Sequence, residues 1–438
     1  MMMYWNPELV RKDIVMDDEY ISRMMRTDQD WFKKREKRID SPFMLEKVSQ
    51  REKIKVGVMG LPYEATRELG ETICNEMIDN LVDYVNLLKK TQEGEKMKVK
   101  WGVIGCGGIA DRRTLPGMML ADNAELVAVM DANPEAAGRC KEKYNAKYAF
   151  DKVEDLLALD EIQAVYIASP VFCHKEQVEQ AAKAKKQILL EKPMGLTTEE
   201  AAEIAAVCEH EGVKLGVAFM MRFHSYHQKM REIVSAGRIG EVVSARAQFT
   251  CWYPEMENCW RQNKKLSGGG AMLDMAIHSI DLIRYITGLE VDDATGFTGN
   301  QIFKYNVDDA GVGVYKMNNG ALCVVEAAFN IPDDASVGKL EIYGTKGSMI
   351  AKGTLAQEEG GTLKVLALDS VGGYDAQQNR STVAPVPVSV TFGNMYTKEI
   401  EAFGRAVLGE GEIPVTAEDA IRSQKAIEDV YKKNGISL

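Results

Sequence analysis

In the segment SGGGAMLDMAIHSID, Ser267 to Asp281, Asp274 and His278 stand four residues apart, with Asp281 a turn further on. On a helix this spacing sets a carboxylate beside an imidazole on one face. The carboxylate would favour the protonated ring and hold it in place, which suits a histidine exchanging protons near neutral pH. An amphipathic core helix with an incidental histidine has the same spacing. A metal reading would add His224 or His227 to Asp274 and His278, but no third ligand stands at a fixed spacing, so no metal is expected. Gly268, Gly269 and Gly270 permit a close backbone approach just before this helix. A cation for the same chemistry stands in QILLEKPM, where Glu191, Lys192 and Pro193 follow an apolar run. A Lys before Pro is otherwise an ordinary loop feature. What distinguishes Lys192 is its place at the C-terminal edge of a parallel sheet, where ligands bind in open α/β folds.

The second chemistry-bearing stretch is VKWGVIGCGGIA, Val99 to Ala110. Its apolar run reads as a buried parallel strand, after which Gly105, Gly107 and Gly108 let the chain turn tightly against a pyrophosphate. Ile109 and Ala110 open the helix whose N-terminus would offer N–H groups to that anion, with Ala110 in the place of a third glycine. A second strand, ELVAVM, ends at Asp131, about 20 residues past the turn, where a carboxylate would accept the adenosine ribose hydroxyls. Ala132, Asn133 and Pro134 follow, with no Arg beside Asp131 to favour a 2'-phosphate, so NAD is expected rather than NADP.

These residues need a scaffold, and the patterning supplies one. Strands are expected at Val99 to Ile104, Glu125 to Met130, Lys147 to Phe150, Ala164 to Ala168, Gln187 to Leu190 and Lys214 to Phe219. Helical patterns alternate with them, as a doubly wound parallel sheet requires. Asn133 with Pro134 starts one helix, and Thr197 with Glu200 reads as a capping box for another. Beyond Met220 come longer segments, Glu241 to Trp252, Gly311 to Met317 and Ala321 to Phe329, the last two joined by a turn at Asn318 to Gly320. They predict a large, mainly antiparallel sheet, with a helix at Ala271 to Thr287 and two more at Met395 to Leu408 and Ala417 to Lys433. The expected organisation is therefore an N-terminal extension over 1–96, a dinucleotide-binding domain over 97–219 and a C-terminal domain over 220–438.

The extension holds one strand-like segment, Ile54 to Met59, and an apolar stripe at Ile73, Met77, Ile78, Leu81, Val82, Val85 and Leu88. It reads as an assembly or partner element. The glycine-turn likeness at Lys55 to Gly60 breaks down at Pro62 and Tyr63 and is read as no second nucleotide site.

At 438 residues, 45% of them hydrophobic, the chain has enough material for two or three packed domains. A net charge of −11 argues against nucleic acid, and the basic cluster Lys33, Lys34, Arg35, Lys37, Arg38 reads as a solvated helix face. Eight cysteines are scattered without metal spacing, as in a reduced cytoplasmic protein. No signal-peptide core or membrane span is visible, so a cytoplasmic location without membrane association is expected.

The strand VIGCGGIA, the EKP tripeptide and the GGGxxxDMxxHxxD segment, in this order, resemble the Gfo/Idh/MocA oxidoreductases over roughly residues 97–438. The resemblance implies a Rossmann domain followed by an α/β domain with an open sheet that often mediates oligomerisation, and sugars, inositols or related polyols as substrates. It implies that Lys192 is the EKP lysine, Asp274 the family aspartate and His278 the catalytic histidine. Arg222, in MMRF, falls where the family often carries an arginine near substrate and nicotinamide, and Trp260 with Arg261 in a frequent WR pair. Ser169, Pro170 and His174 lie in the loop that often borders the nicotinamide, though Val171 replaces the more usual Asn.

The reaction this implies is oxidation of a secondary hydroxyl of a sugar, glycoside or inositol, including formation of a 3-keto glycoside, by hydride transfer to NAD. His278 would accept the proton, Asp274 would orient it and bind a neighbouring hydroxyl, and Lys192 would stabilise the alkoxide. Arg222, His227, Trp252, Tyr253 and Trp260 are expected to line the sugar pocket, although aromatics in such a loop serve packing as often. Two alternatives use the same residues or fewer: glycoside cleavage by transient oxidation and elimination, and a non-catalytic NAD-binding subunit or sensor. A homo-oligomer is expected, with the extension as a possible contact for a partner protein.

Overall fold

A computed structural model describes residues 97–370, 372–373, 376–377 and 383–438, together with 32–34, 48–50, 71, 75 and 78. The chain forms two compact units, residues 1–96 and 97–438. In the first, strands β1 (Phe32–Lys34) and β2 (Val48–Gln50) pair antiparallel. Lys33 and Lys34, read from sequence as part of a helix face, therefore lie in a strand. The strand-like segment over 54–59 and most of the apolar stripe lie outside the described residues; Ile78 is helical and exposed.

The second unit begins with a six-stranded parallel sheet made of β3 (Val99–Ile104), β4 (Ala124–Met130), β5 (Tyr148–Phe150), β6 (Ala164–Ile167), β7 (Gln187–Glu191) and β8 (Leu215–Ala218). Their order is β5-β4-β3-β6-β7-β8. Reversal of direction around β3 creates a crevice at the carboxyl ends of β3 and β6, the place where such folds bind ligands. Helices α1 (Leu115–Leu120), α2 (Pro134–Tyr144), α3 (Val153–Leu157), α4 (His174–Lys183) and α5 (Thr198–Glu211) connect the strands. The strands match their predicted positions because a strand covered on both faces reads as a near-continuous apolar run. Asn133 caps α2 by accepting the Glu135 N–H at 3.0 Å. Thr197 likewise accepts the Glu200 N–H, but the Glu200 carboxylate reaches back to the N–H of Leu196, so the expected box is displaced by one residue.

After α6 (Ser225–Ser235) comes a mixed eight-stranded sheet, built from β9 (Val242–Thr250), β10 (Val291–Gly299), β11 (Ala310–Met317), β12 (Leu322–Ala328), β13 (Lys339–Gly344), β14 (Gly347–Lys352), β15 (Thr362–Ala367) and β16 (Val386–Val388). Its order is β10-β11-β12-β9-β13-β14-β15-β16, and only β9 and β12 pair in parallel. Residues along β11 alternate between buried and exposed, as expected of a sheet with one covered face. The helix predicted from Ala271 is a π-helical turn, Met272–Ala276, running into α7 (Ile277–Thr287).

The last helices, α8 (Met395–Leu408) and α9 (Ala417–Lys433), span their predicted residues. Although α8 follows the second sheet in sequence, it packs on the first. Phe403 packs against Trp101, the rings tilted by 50° with centres 5.8 Å apart, and a Cβ on Gly117 would lie 2.7 Å from that of Tyr396. Helix α9 touches both parts of the fold, with Glu428 accepting the Thr198 N–H of α5 and Tyr431 donating to Asp308, just before β11. Among the described residues no helix is long and apolar enough to cross a membrane.

Because residues 97–438 form a compact unit, a chain starting at Met97 is expected to fold and to bind the dinucleotide, but to change its assembly or lose solubility. Solution mass of both chains is the measurement. Unchanged assembly and solubility would make the extension dispensable, and lost binding would move the boundary.

Candidate active site

The crevice between β3 and β6 is built around Gly105, whose φ is +96°, and a Cβ there would lie 2.8 Å from the backbone of Ala168 and Ser169. Only glycine lets the two strand ends approach this closely. Gly107 and Gly108 open onto free space, and a π-helical turn, Ala110–Thr114, leads into α1. At the end of β4, Asp131 accepts the N–H of Cys106 at 2.8 Å through one oxygen and that of Asn133 at 2.9 Å through the other. The carboxylate is thereby fixed beside the glycine turn and keeps lone pairs for further donors. A cradle open at two glycines and flanked by a fixed acceptor fits a dinucleotide.

The loops after β6 and β7 are tied by His174. Its Nδ1 faces the carbonyls of Pro193 and Met194 at 3.1 and 3.2 Å, and its Nε2 faces that of Ser169 at 3.0 Å. Burial pushes this imidazole down to about 4. Gly108, Ile109, Ser169, His174, Glu191 and Lys192 border one cleft of about 540 Å3, whereas Gly105, Gly107, Asp131 and Pro170 do not line it.

In the same cleft, Lys192 donates to Asp274 Oδ1 at 2.8 Å and to the Asp274 carbonyl at 2.9 Å. Asp274 sits in the π-helical turn and His278 on the first turn of α7, so the predicted carboxylate, imidazole and ammonium share one wall. Asp308, absent from the sequence reading, anchors this turn by accepting the N–H of Gly270 at 2.8 Å and of Met272 at 2.9 Å. A Cβ on Gly270 would lie 1.9 Å from the Asp308 carbonyl, which explains one glycine of the triplet.

The electrostatics differ from the expectation that Asp274 keeps His278 protonated. Burial, joined by the Lys192 charge, drives His278 well below the ordinary imidazole range against the pull of Asp274, so the ring is neutral. Its Nδ1 has no hydrogen-bond partner. Burial would raise Asp274, but Lys192 and Arg261 outweigh it and hold the carboxyl well below its usual range. About a third of the Asp274 side chain remains open to the cleft. Behind Lys192, burial raises Glu191, which accepts from the Tyr166 hydroxyl and from the Lys192 N–H.

Two of the predicted pocket residues, Arg222 and His227, are buried away from the cleft. Arg222 is buried in a bidentate pair with Asp281, at 2.8 Å from Nε and 2.6 Å from Nη2, and reaches Asp419 at 3.2 Å. Asp281 therefore serves Arg222 and not His278. His227 is fully buried, its Nδ1 2.8 Å from the Met221 carbonyl and its Nε2 3.1 Å from the Thr354 hydroxyl. His224 packs on it at 4.6 Å, so neither histidine joins Asp274 and His278. No group of His, Cys, Asp and Glu able to hold a metal ion occurs among the described residues.

Trp260, Arg261 and Tyr253 line the cleft, with the Arg261 guanidinium 4.4 Å from the Trp260 ring, while Trp252 does not line it. The sequence reading missed Arg112, Phe249 and the segment Leu355 to Gln357 as lining residues. Only Arg112 carried a local signal, its place in the first turn after the glycines.

Residues 99–219 match the family description "Oxidoreductase family, NAD-binding Rossmann fold", and residues 227–350 match "GFO/IDH/MocA C-terminal domain". The chain belongs to the Gfo/Idh/MocA oxidoreductase family. It is 28% identical over 325 residues to the 1,5-anhydro-D-fructose reductase of Ensifer adhaerens, covering 74% of this chain and 92% of that protein. It is 27% identical over 333 residues to the D-xylose 1-dehydrogenase (NADP(+)) 2 of Haloferax volcanii, covering 76% and 96%. In fold it is similar to the aldose-aldose oxidoreductase of Caulobacter crescentus, with a TM-score of 0.69 at 21% identity, covering 78% of this chain and all of that one. The 3-ketoreductase KijD10 of Actinomadura kijaniata, solved with NADP and TDP-benzene, gives 0.65 at 23% identity, covering 77% and 98%.

Proposed function

We propose that the protein oxidises a secondary hydroxyl of a sugar, glycoside or inositol, with NAD as hydride acceptor. The observation that carries this reading is the convergence of Lys192, Asp274 and a neutral His278 in the cleft bordered by the glycine turn. The named relatives, a sugar reductase and a sugar dehydrogenase, support the substrate class. A nicotinamide bound there would supply the acceptor for the hydride of the carbinol C–H bond. As that bond breaks, the O–H proton passes to His278 and the carbonyl forms. Lys192, held by Asp274, places positive charge beside the oxygen while it carries alkoxide character. Asp274 also has oxygen surface free for a neighbouring hydroxyl.

A panel of sugars and glycosides with NAD tests the reading. Net NADH formation is expected; aglycone release without net NADH would mark cleavage, and silence on both a binding subunit.

Cofactor choice rests on Asp131, whose charge would repel a 2'-phosphate next to the ribose diol it binds. Titration is expected to show clear preference for NAD over NADP, lost in Asp131→Ala. Equal affinity of the wild type for both would remove this role from Asp131.

We also read the chain as a homo-oligomer joined through its open sheet, since Phe297, Val312, Val314 and Leu322 are exposed there.

A further inference from the structure

The segment between β14 and β15, residues 353–361, leaves the second sheet and reaches the dinucleotide cleft. It begins at Gly353, with φ +69°, and ends at Gly361, with φ +82°, where a Cβ would lie 2.3 Å from the Lys352 carbonyl. Between these pivots Leu355, Ala356 and Gln357 line the cleft together with Gly108, Ile109 and Arg112 of the glycine turn. The segment thus borders the same groove as the residues that would cradle the pyrophosphate.

Beyond Gln357 two consecutive carboxylates tie it down. Glu358 pairs with Arg113, on the turn that opens the first helix after the glycines. Glu359, its side chain almost wholly buried, pairs with Lys398 of α8 and accepts the Ser225 hydroxyl at 2.7 Å and the Gly393 N–H at 3.0 Å. Burial would raise Glu359, but Lys398 and these donors keep it ionised. The exposed Glu358 pair contributes little, whereas the buried Glu359 set holds the segment in place.

We propose that residues 353–361 form the outer wall of the dinucleotide site and a latch, fastened by Glu359 and Lys398, that sets how fast the dinucleotide leaves. This rests on the reading that the dinucleotide lies along the glycine turn.

The test follows the dinucleotide rather than turnover. NADH is bound to the full chain, its affinity is measured by fluorescence titration, and its release is timed after mixing with excess NAD. Glu359→Gln and Lys398→Met are expected to release NADH at least about ten-fold faster, as when a charge-assisted hydrogen bond no longer holds the closed form. Lys398→Arg is expected to restore slow release. Tight binding with release within about two-fold of wild type in both variants would overturn the latch and leave the dinucleotide reading standing; no binding by the wild type would overturn both. Hydrogen exchange in the wild type needs no variant to fold: amides of 353–361 are expected to gain protection with NADH, and unchanged exchange would equally overturn the proposal.

Discussion

Replacing His278 by Ala, or Lys192 by Met, is expected to lower turnover by about 10² to 10⁴, the range for a positioned proton-transfer or charge-stabilising group. Affinity for the dinucleotide should change far less, because the glycine turn and Asp131 stand at the other end of the site. The two variants are distinguishable by pH. Burial and the Lys192 charge keep His278 neutral well below the ordinary imidazole range, so its proton-accepting form persists as pH falls through 6.5. The wild-type kcat/KM for oxidation should therefore show no acid limb near pH 6.5. An acid limb there that vanishes in His278→Ala would mean that the imidazole titrates normally. Near-normal turnover in either variant would exclude that residue from the chemistry.

The parts of this site that sequence revealed share a physical property: their partners are local, or their pattern is enforced by burial on both sides. Strand β3, VKWGVI, is buried along nearly its whole length, and Lys100 at its half-buried second position is the single polar side chain in the run. Gly105 must be glycine because two strand ends meet there, and Asp274 and His278 are neighbours on one short stretch of helix. Strand β10, VDDATGFTG, shows the opposite case. Of its residues only Ala294 is buried, so hydrophobic alternation is absent and its pairing depends on β11. Strand β16 is a three-residue edge strand with Pro387 at its centre, a place where proline is tolerated but leaves no strand signal. The neutral state of His278 was likewise illegible, since it depends on Lys192 arriving from another domain and on burial by Phe219 and Phe249. Arg222 was placed at the substrate by the family resemblance, and His227 was expected among the residues lining the same pocket. Their partners Asp281 and Thr354 lie 59 and 127 residues away, and no local pattern announces them.

The same pairing gives Arg222 an effect that separates its two candidate roles. Arg222→Met would leave the Asp281 carboxylate, 1% exposed, without its guanidinium, the Ser423 hydroxyl at 3.1 Å still donating to it. Breaking one side of a buried ion pair costs about 3–5 kcal/mol, whereas replacing both charges by apolar groups is often neutral. Arg222→Met alone is therefore expected to lose stability on that scale in urea denaturation, and Arg222→Met with Asp281→Leu to recover most of it. Asp419 also accepts from Arg222, but it retains the N-cap bond with Thr416 and about a third of its surface in solvent, so it tolerates the change. A structural pair of this kind predicts that the folded single variant keeps its substrate KM. A raised KM with stability loss under about 1 kcal/mol, the scale of an exposed pair, would return Arg222 to the substrate pocket that the family resemblance first assigned it.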